Sequence, residues 1–134
     1  MSFVRDPAHW LNRLSPDEWI SAALGELKRA EESYARHDVR AGLAGAKRAA
    51  GMALNGVLML HPNEAWGRSY VDHVQALAAD ETAPEAVRAA CKLLLEAPAP
   101  GAVLVGLRTK SLDDKVLDAA RDVMAHAYAL VNRR

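Results

Sequence analysis

The chain holds a single cysteine, Cys91, among 134 residues, so no intrachain disulfide can staple it. The apolar run around that residue, AVRAACKLLL, points to a buried and inert thiol. Aromatic residues are scarce, with one Phe, three Trp and three Tyr. A core made mainly of Ala, Leu and Val suits closely packed helices better than a β-sandwich. Charge of one sign is also lacking, because 17 basic residues balance 17 acidic ones. Non-specific nucleic-acid binding depends on counterion release by clustered Lys and Arg. That footprint is missing apart from Arg133-Arg134. No apolar run is long enough to span a bilayer: MALNGVLML (Met52–Leu60) is too short and contains Asn55. The opening MSFVRDPAHW shows no apolar signal region. These absences lead us to expect a soluble protein of a reducing, cytoplasmic compartment, with no membrane partner.

What is present is helical punctuation. Alanine, the best helix former, is the commonest residue. Asp6-Pro7 predicts a short helix to about Leu14 that buries Trp10, Leu11 and Leu14. SPDE (Ser15–Glu18) supplies an N-cap, a first-turn proline and a capping-box glutamate. A long helix then runs to about Arg36, with Ile20, Ala23, Leu24, Leu27, Ala30 and Tyr34 on one face. Asp38 caps a second long helix that His61-Pro62 ends. This helix contains Gly42, Gly45, Gly51 and Gly56, each costing up to about 1 kcal/mol relative to alanine. The stripe Ala46, Ala49, Ala53 and Gly56 reads as a seam for a closely packed neighbour. HPNEAWGR (His61–Arg68) reads as a loop. Ser69 with Asp72 caps a shorter helix carrying Val71, Val74 and Leu77. TAPE (Thr82–Glu85) is a capping box for a helix to Leu95, and APAPG (Ala97–Gly101) stops it. AVLVGLRTK (Ala102–Lys110) reads as a loop. Ser111 with Asp114 begins a last helix to about Asn132, whose buried face is Leu112, Val116, Ala120, Val123, Ala127 and Val131. With no pair of strand runs, the fold expected is all-α: an antiparallel four- to five-helix up-and-down bundle forming one domain, 1–134, with a helical extension over about 1–14.

Four passages carry a family likeness. DEWISAALGELKRAEESYARHD, VRAGLAGAKRAAGMALNGVLML, SYVDHVQALA and LRTKSLDDKVLDAARDVMAHAYALV resemble, in order, helices of the HEPN family (higher eukaryotes and prokaryotes nucleotide-binding). The resemblance covers about Ser15 to Val131. It implies a helical bundle that pairs as a homodimer, and it marks His73, Arg108 and Lys110 as ligand-binding candidates. The family's second helix commonly carries a Glu and a downstream Lys, where this chain has Gly51 and Asn55. The loop arginine is commonly followed by Tyr-Pro, where Arg108 is followed by Thr109-Lys110.

Some HEPN proteins are metal-independent ribonucleases in which an Arg and a His lie four to six residues apart. By that resemblance RDVMAHAY supplies Arg121 to hold phosphate, His126 as general acid or base, and Tyr128 in support. Helix geometry opposes a direct transfer, because five positions turn about 500° and leave the two side chains about 140° apart. The two would share a cleft only if the helix starts later, or if a partner helix supplies the other half.

Asp72-His73 could also pair for acid–base work. His9, His37 and His61 show no metal-ligand spacing, so no metal and no cofactor are expected. Lys47-Arg48 and Arg108 with Lys110 are the internal basic spots. The function expected is a HEPN-like binding module, homodimeric, recognising a protein partner or a nucleotide. The alternative is a ribonuclease toxin acting on RNA and paired with a nucleotidyltransferase-type antitoxin.

Overall fold

The computed structural model describes residues 10–97 and 110–133. Five helices make up the fold: α1 (Pro16–Ala35), α2 (Val39–Leu60), α3 (Tyr70–Ala78), α4 (Glu85–Glu96) and α5 (Lys110–Val131). Short 3-10 turns lie at Trp10–Arg13 and Glu64–Trp66. No strand occurs among the described residues, and the all-helical bundle is confirmed.

The predicted caps at the starts of four helices behave in two ways. Ser15 and Glu18 close a reciprocal capping box, and Ser69 and Asp72 close another. Asp38 accepts from the backbone N–H of Ala41 to start α2. The box expected at TAPE does not form. Thr82 instead donates both its backbone N–H and its hydroxyl to Asp80, and Pro84 stands at the N-cap of α4 without a side-chain bond. The segment His61–Arg68 is a loop holding one turn of 3-10 helix rather than irregular throughout. The described part of the N-terminal extension is 3-10, with Leu11 and Leu14 half-buried. Its expected start at Asp6, the side chain of Trp10 and the stretch 98–109 lie outside the described residues.

The α1–α2 turn is tight. His37 adopts φ 63°, in the left-handed region. The N–H of His37 donates to the carbonyl of Tyr34, and that of Asp38 to the carbonyl of Ser33. This is a Schellman motif, which satisfies the last carbonyls of α1 and folds the chain back on itself.

The two long helices then pack antiparallel through the small-residue seam. Gly42 lies against Tyr34, Gly45 against Ala30 and Gly56 against the carbonyl oxygen of Pro16. A Cβ on Gly56 would stand 2.9 Å from that oxygen. The absent side chains let the helices approach, and the burial gained offsets the helix propensity lost. Ala46, Ala49, Ala50 and Ala53 are fully buried in the same layer. This seam, expected to take a closely packed neighbour, is therefore filled by helices of the same chain.

The third partner in the core is α5. Val131 reaches the Gly56 position, while Arg121 reaches Glu31. Residue order along these contacts makes α5 antiparallel to α1, so α5 and α2 run in the same direction. Val116, Ala120, Val123, Ala127 and Val131 are fully buried, as the periodicity predicts, and Leu112 is half-buried. The shorter α3 and α4 close the bundle, α3 against α2 and α4, and α4 against α5.

Two predicted core residues are exposed instead. Leu24 projects about 90° from the centre of the α1 face that α2 takes, and it is 56% exposed. Val71 faces outward while His73 takes the buried position on α3 beside Val74 and Leu77. No helix of the described residues is long and apolar enough to cross a membrane.

Candidate functional site

The ribonuclease candidates are all on α5, but they face different neighbours. Arg121 Nη2 donates to Glu31 Oε1 on α1 at 3.0 Å, and Nη1 donates to Asp118 Oδ1 at 2.7 Å. Partial burial works against its charge, but these carboxylates outweigh that effect and raise its pKa. Both of its terminal nitrogens are thus engaged inside the protomer.

His126 lies on the other side of α5, half-buried, with Asp80 and Arg133 as its charged neighbours. Burial and the Arg133 charge lower its pKa, and Asp80 only partly opposes them. Tyr128 stands two turns beyond Arg121 on the α1 side and is 58% exposed. Within one chain, then, the arginine and tyrosine share a seam and the histidine does not. The helix turn of about 100° per residue that separates them is undistorted.

The ligand-binding candidates are equally dispersed. His73 is fully buried, and its Nδ1 lies 3.0 Å from the carbonyl oxygen of Trp66. A carbonyl can only accept, so Nδ1 carries the proton. Burial lowers the His73 pKa, against smaller raising effects from that hydrogen bond and from Asp72. A neutral imidazole so placed ties the 3-10 turn to α3. The neighbouring Asp72 is engaged in the Ser69 capping box. Arg108 lies outside the described residues, and Lys110 is the first residue of α5.

Other reactive groups are quiet. Cys91 is fully buried, and desolvation pushes its thiol up to about 12. It therefore carries almost no thiolate near neutrality. Among the described residues no cluster of three His, Cys, Asp or Glu side chains could hold a metal ion.

One concave feature was not anticipated. Arg40, Leu43, Ala44, Lys47 and Arg48 of α2 face Tyr70 and Val71 of α3 across a groove of about 400 Å³. Its origin is local. Gly51 continues the row formed by Arg40, Ala44 and Lys47 on α2, and Tyr70 sits directly over it. The missing side chain lets α3 begin in contact with α2, and Tyr70 and Val71 become the wall of the crevice. Arg48 Nη1 donates to Glu26 Oε2 at 2.9 Å, and Arg29 bonds the other oxygen. Burial works to raise the Glu26 pKa, but its two arginines hold the carboxyl below the ordinary value. Among the described residues Arg40 and Lys47 have no ion-pair partner. The sequence signal for this groove is the recurrence of basic residues at 40, 47 and 48 on one helix face. It is visible only once α3 is known to flank that face.

One residue is anomalous. Asn55, one turn beyond Gly51, is fully buried, and neither its Nδ2 nor its Oδ1 has a hydrogen-bond partner among the described residues.

The chain matches no family model, no curated protein and no solved structure.

Proposed function

We propose that this protein is a helical binding and interaction module, acting as a homodimer that recognises a nucleotide or a protein partner, rather than a nuclease. The observation that carries the reading is the engagement of Arg121 by Glu31 and Asp118 on one side of α5 while His126 faces Asp80 on the other. General acid–base cleavage of RNA needs both groups within reach of one phosphate. A composite site across two chains would have to break the Arg121 ion pairs or use that arginine's remaining nitrogen.

The homodimer draws support from the α1–α5 seam. Leu24 stands two turns before Glu31 and Tyr128 two turns after Arg121. Because the helices are antiparallel, both exposed apolar side chains lie on the same side of that ion pair. The resemblance to HEPN proteins supports a paired bundle as well, with a nucleotidyltransferase-type protein among the candidate partners.

The test combines two measurements. Purified protein is incubated with total RNA, and its mass in solution is measured by light scattering. We expect intact RNA, no change with Arg121→Ala or His126→Ala, and a dimer that Tyr128→Asp or Leu24→Asp dissociates. RNA cleavage abolished by both alanine variants would overturn the module reading. A monomer at tens of micromolar would remove the homodimer.

A further inference from the structure

We infer that the α2–α3 groove is a binding site for a small phosphate monoester carried on a flat apolar body. The proposal deepens the module reading and rests on it for its biological sense. Three features of the groove select that chemistry.

The first is charge. Arg40, Lys47 and Arg48 line the groove, and among the described residues the one carboxylate bonded to this set is Glu26, which is shared with Arg29. The lining therefore keeps a surplus of two positive charges. A phosphate monoester carries about −1.5 to −2 near neutral pH, which matches that surplus. A carboxylate would leave half of it unmatched.

The second is donor geometry. Arg40 and Lys47 are seven residues apart, so they project from the same side of α2 about 10 Å apart along the helix. Both are long, flexible side chains without a carboxylate partner among the described residues, and they can close on a phosphate from either end of the groove. Arg48, fixed by Glu26, provides a third donor in a set position. Charge-assisted bonds of this kind are about twice as strong as neutral ones.

The third is the apolar part. Leu43 and Ala44 lie between the cations, and Tyr70 and Val71 form the facing wall. The Tyr70 ring is held in place by its contact with Gly51. A planar group can stack on that ring while its phosphate reaches the cations. A volume of about 400 Å³ falls in the range of small-molecule sites and is too small for a folded partner.

The experiment is an NMR titration of the full chain with phenyl phosphate, with inorganic phosphate and phenol as separate probes. We expect phenyl phosphate to shift the amides of Arg40–Arg48, Tyr70 and Val71 and to bind at least about tenfold tighter than either probe. Lys47→Glu and Arg40→Glu should each weaken it by about tenfold or more. Lys92→Glu, on an exposed position of α4, should leave it unchanged. Of the two substituted positions, Arg40 is exposed and Lys47 half-buried, and circular dichroism of each variant verifies the fold. Shifts located elsewhere, equal binding of inorganic phosphate, equal loss with Lys92→Glu, or no binding of any probe would overturn the proposal. The two readings fail separately. RNA cleavage dependent on Arg121 and His126 would leave the titration untouched. A silent titration would leave a dimeric module that recognises its partner through another surface.

Discussion

Gly51 of α2 and Tyr70 of α3 touch so closely that no side chain fits between them: a Cβ on Gly51 would stand 2.2 Å from the Tyr70 Cβ and 2.6 Å from its Cα. The obstacle is backbone as well as side chain, so a rotamer change cannot relieve it. Gly51→Ala is expected to destabilise the protein by about 2 kcal/mol or more, despite the better helix propensity of alanine. Urea denaturation measures this. A stabilised variant would show that α3 does not start against α2, and the groove would lose its wall.

His37 occupies the left-handed position that glycine usually fills at a helix end. A non-glycine residue there costs about 1–2 kcal/mol, while glycine adds freedom to the unfolded chain. His37→Gly is therefore expected to raise stability by about 0.5–1 kcal/mol. A lower denaturation midpoint would mean that the imidazole makes a contact that outweighs the backbone strain.

Asn55 and Leu54 are adjacent and both fully buried, yet they should respond differently to truncation. Leu54→Ala removes packed methyl groups and is expected to cost about 2–5 kcal/mol. Asn55→Ala also removes an amide with no hydrogen-bond partner among the described residues, a group that is itself costly to bury. We expect a change within about 1 kcal/mol of the parent, because the cavity created and the buried polar group removed oppose each other. Equal losses for the two variants would reveal a partner for the amide.

Stability should fall on mild acidification. His73 and His126 both have pKa values lowered from 6.5, with burial as the largest cause. Below that value the unfolded chain binds more protons than the folded one, so the free energy of unfolding decreases as pH drops, until the folded-state pKa is passed. Glu18, Glu26 and Asp80 act in the same direction, but below their ordinary values of 4.5, 4.5 and 3.8. Urea midpoints at about pH 7 and about pH 5 therefore isolate the histidines. His73→Asn, which keeps a donor for the Trp66 carbonyl, combined with His126→Gln should flatten the slope. An unchanged slope would assign it to other groups.

Much of the fold was legible because its signals are local. Ser15, Asp38 and Ser69 cap the helices they precede, since a hydroxyl or carboxylate beside free N–H groups needs nothing from the rest of the chain. The apolar spacing along α5 likewise marks its buried face, because a regular helix converts spacing directly into direction. Thr82 shows where local reading ends: its backbone N–H and hydroxyl both donate to Asp80, two residues before it, instead of closing a box with Glu85. Leu24 and Val71 show the same limit for packing, because periodicity defines a stripe and only the neighbouring helices decide its edges.

The site was less legible for a stronger reason. Arg121 and Glu31 are ninety positions apart, and nothing near either residue announces their ion pair. Lys47-Arg48 reads only as an internal basic spot until Tyr70 is placed across from it by the absence of a side chain at Gly51. The sequence alone determined the helices, their ends and the close approach permitted by glycine and alanine, since these follow from backbone chemistry within a few residues. Tertiary structure alone decided which charges are neutralised, which apolar side chains remain exposed and where a crevice opens. Those outcomes depend on distances between segments that chain order does not encode.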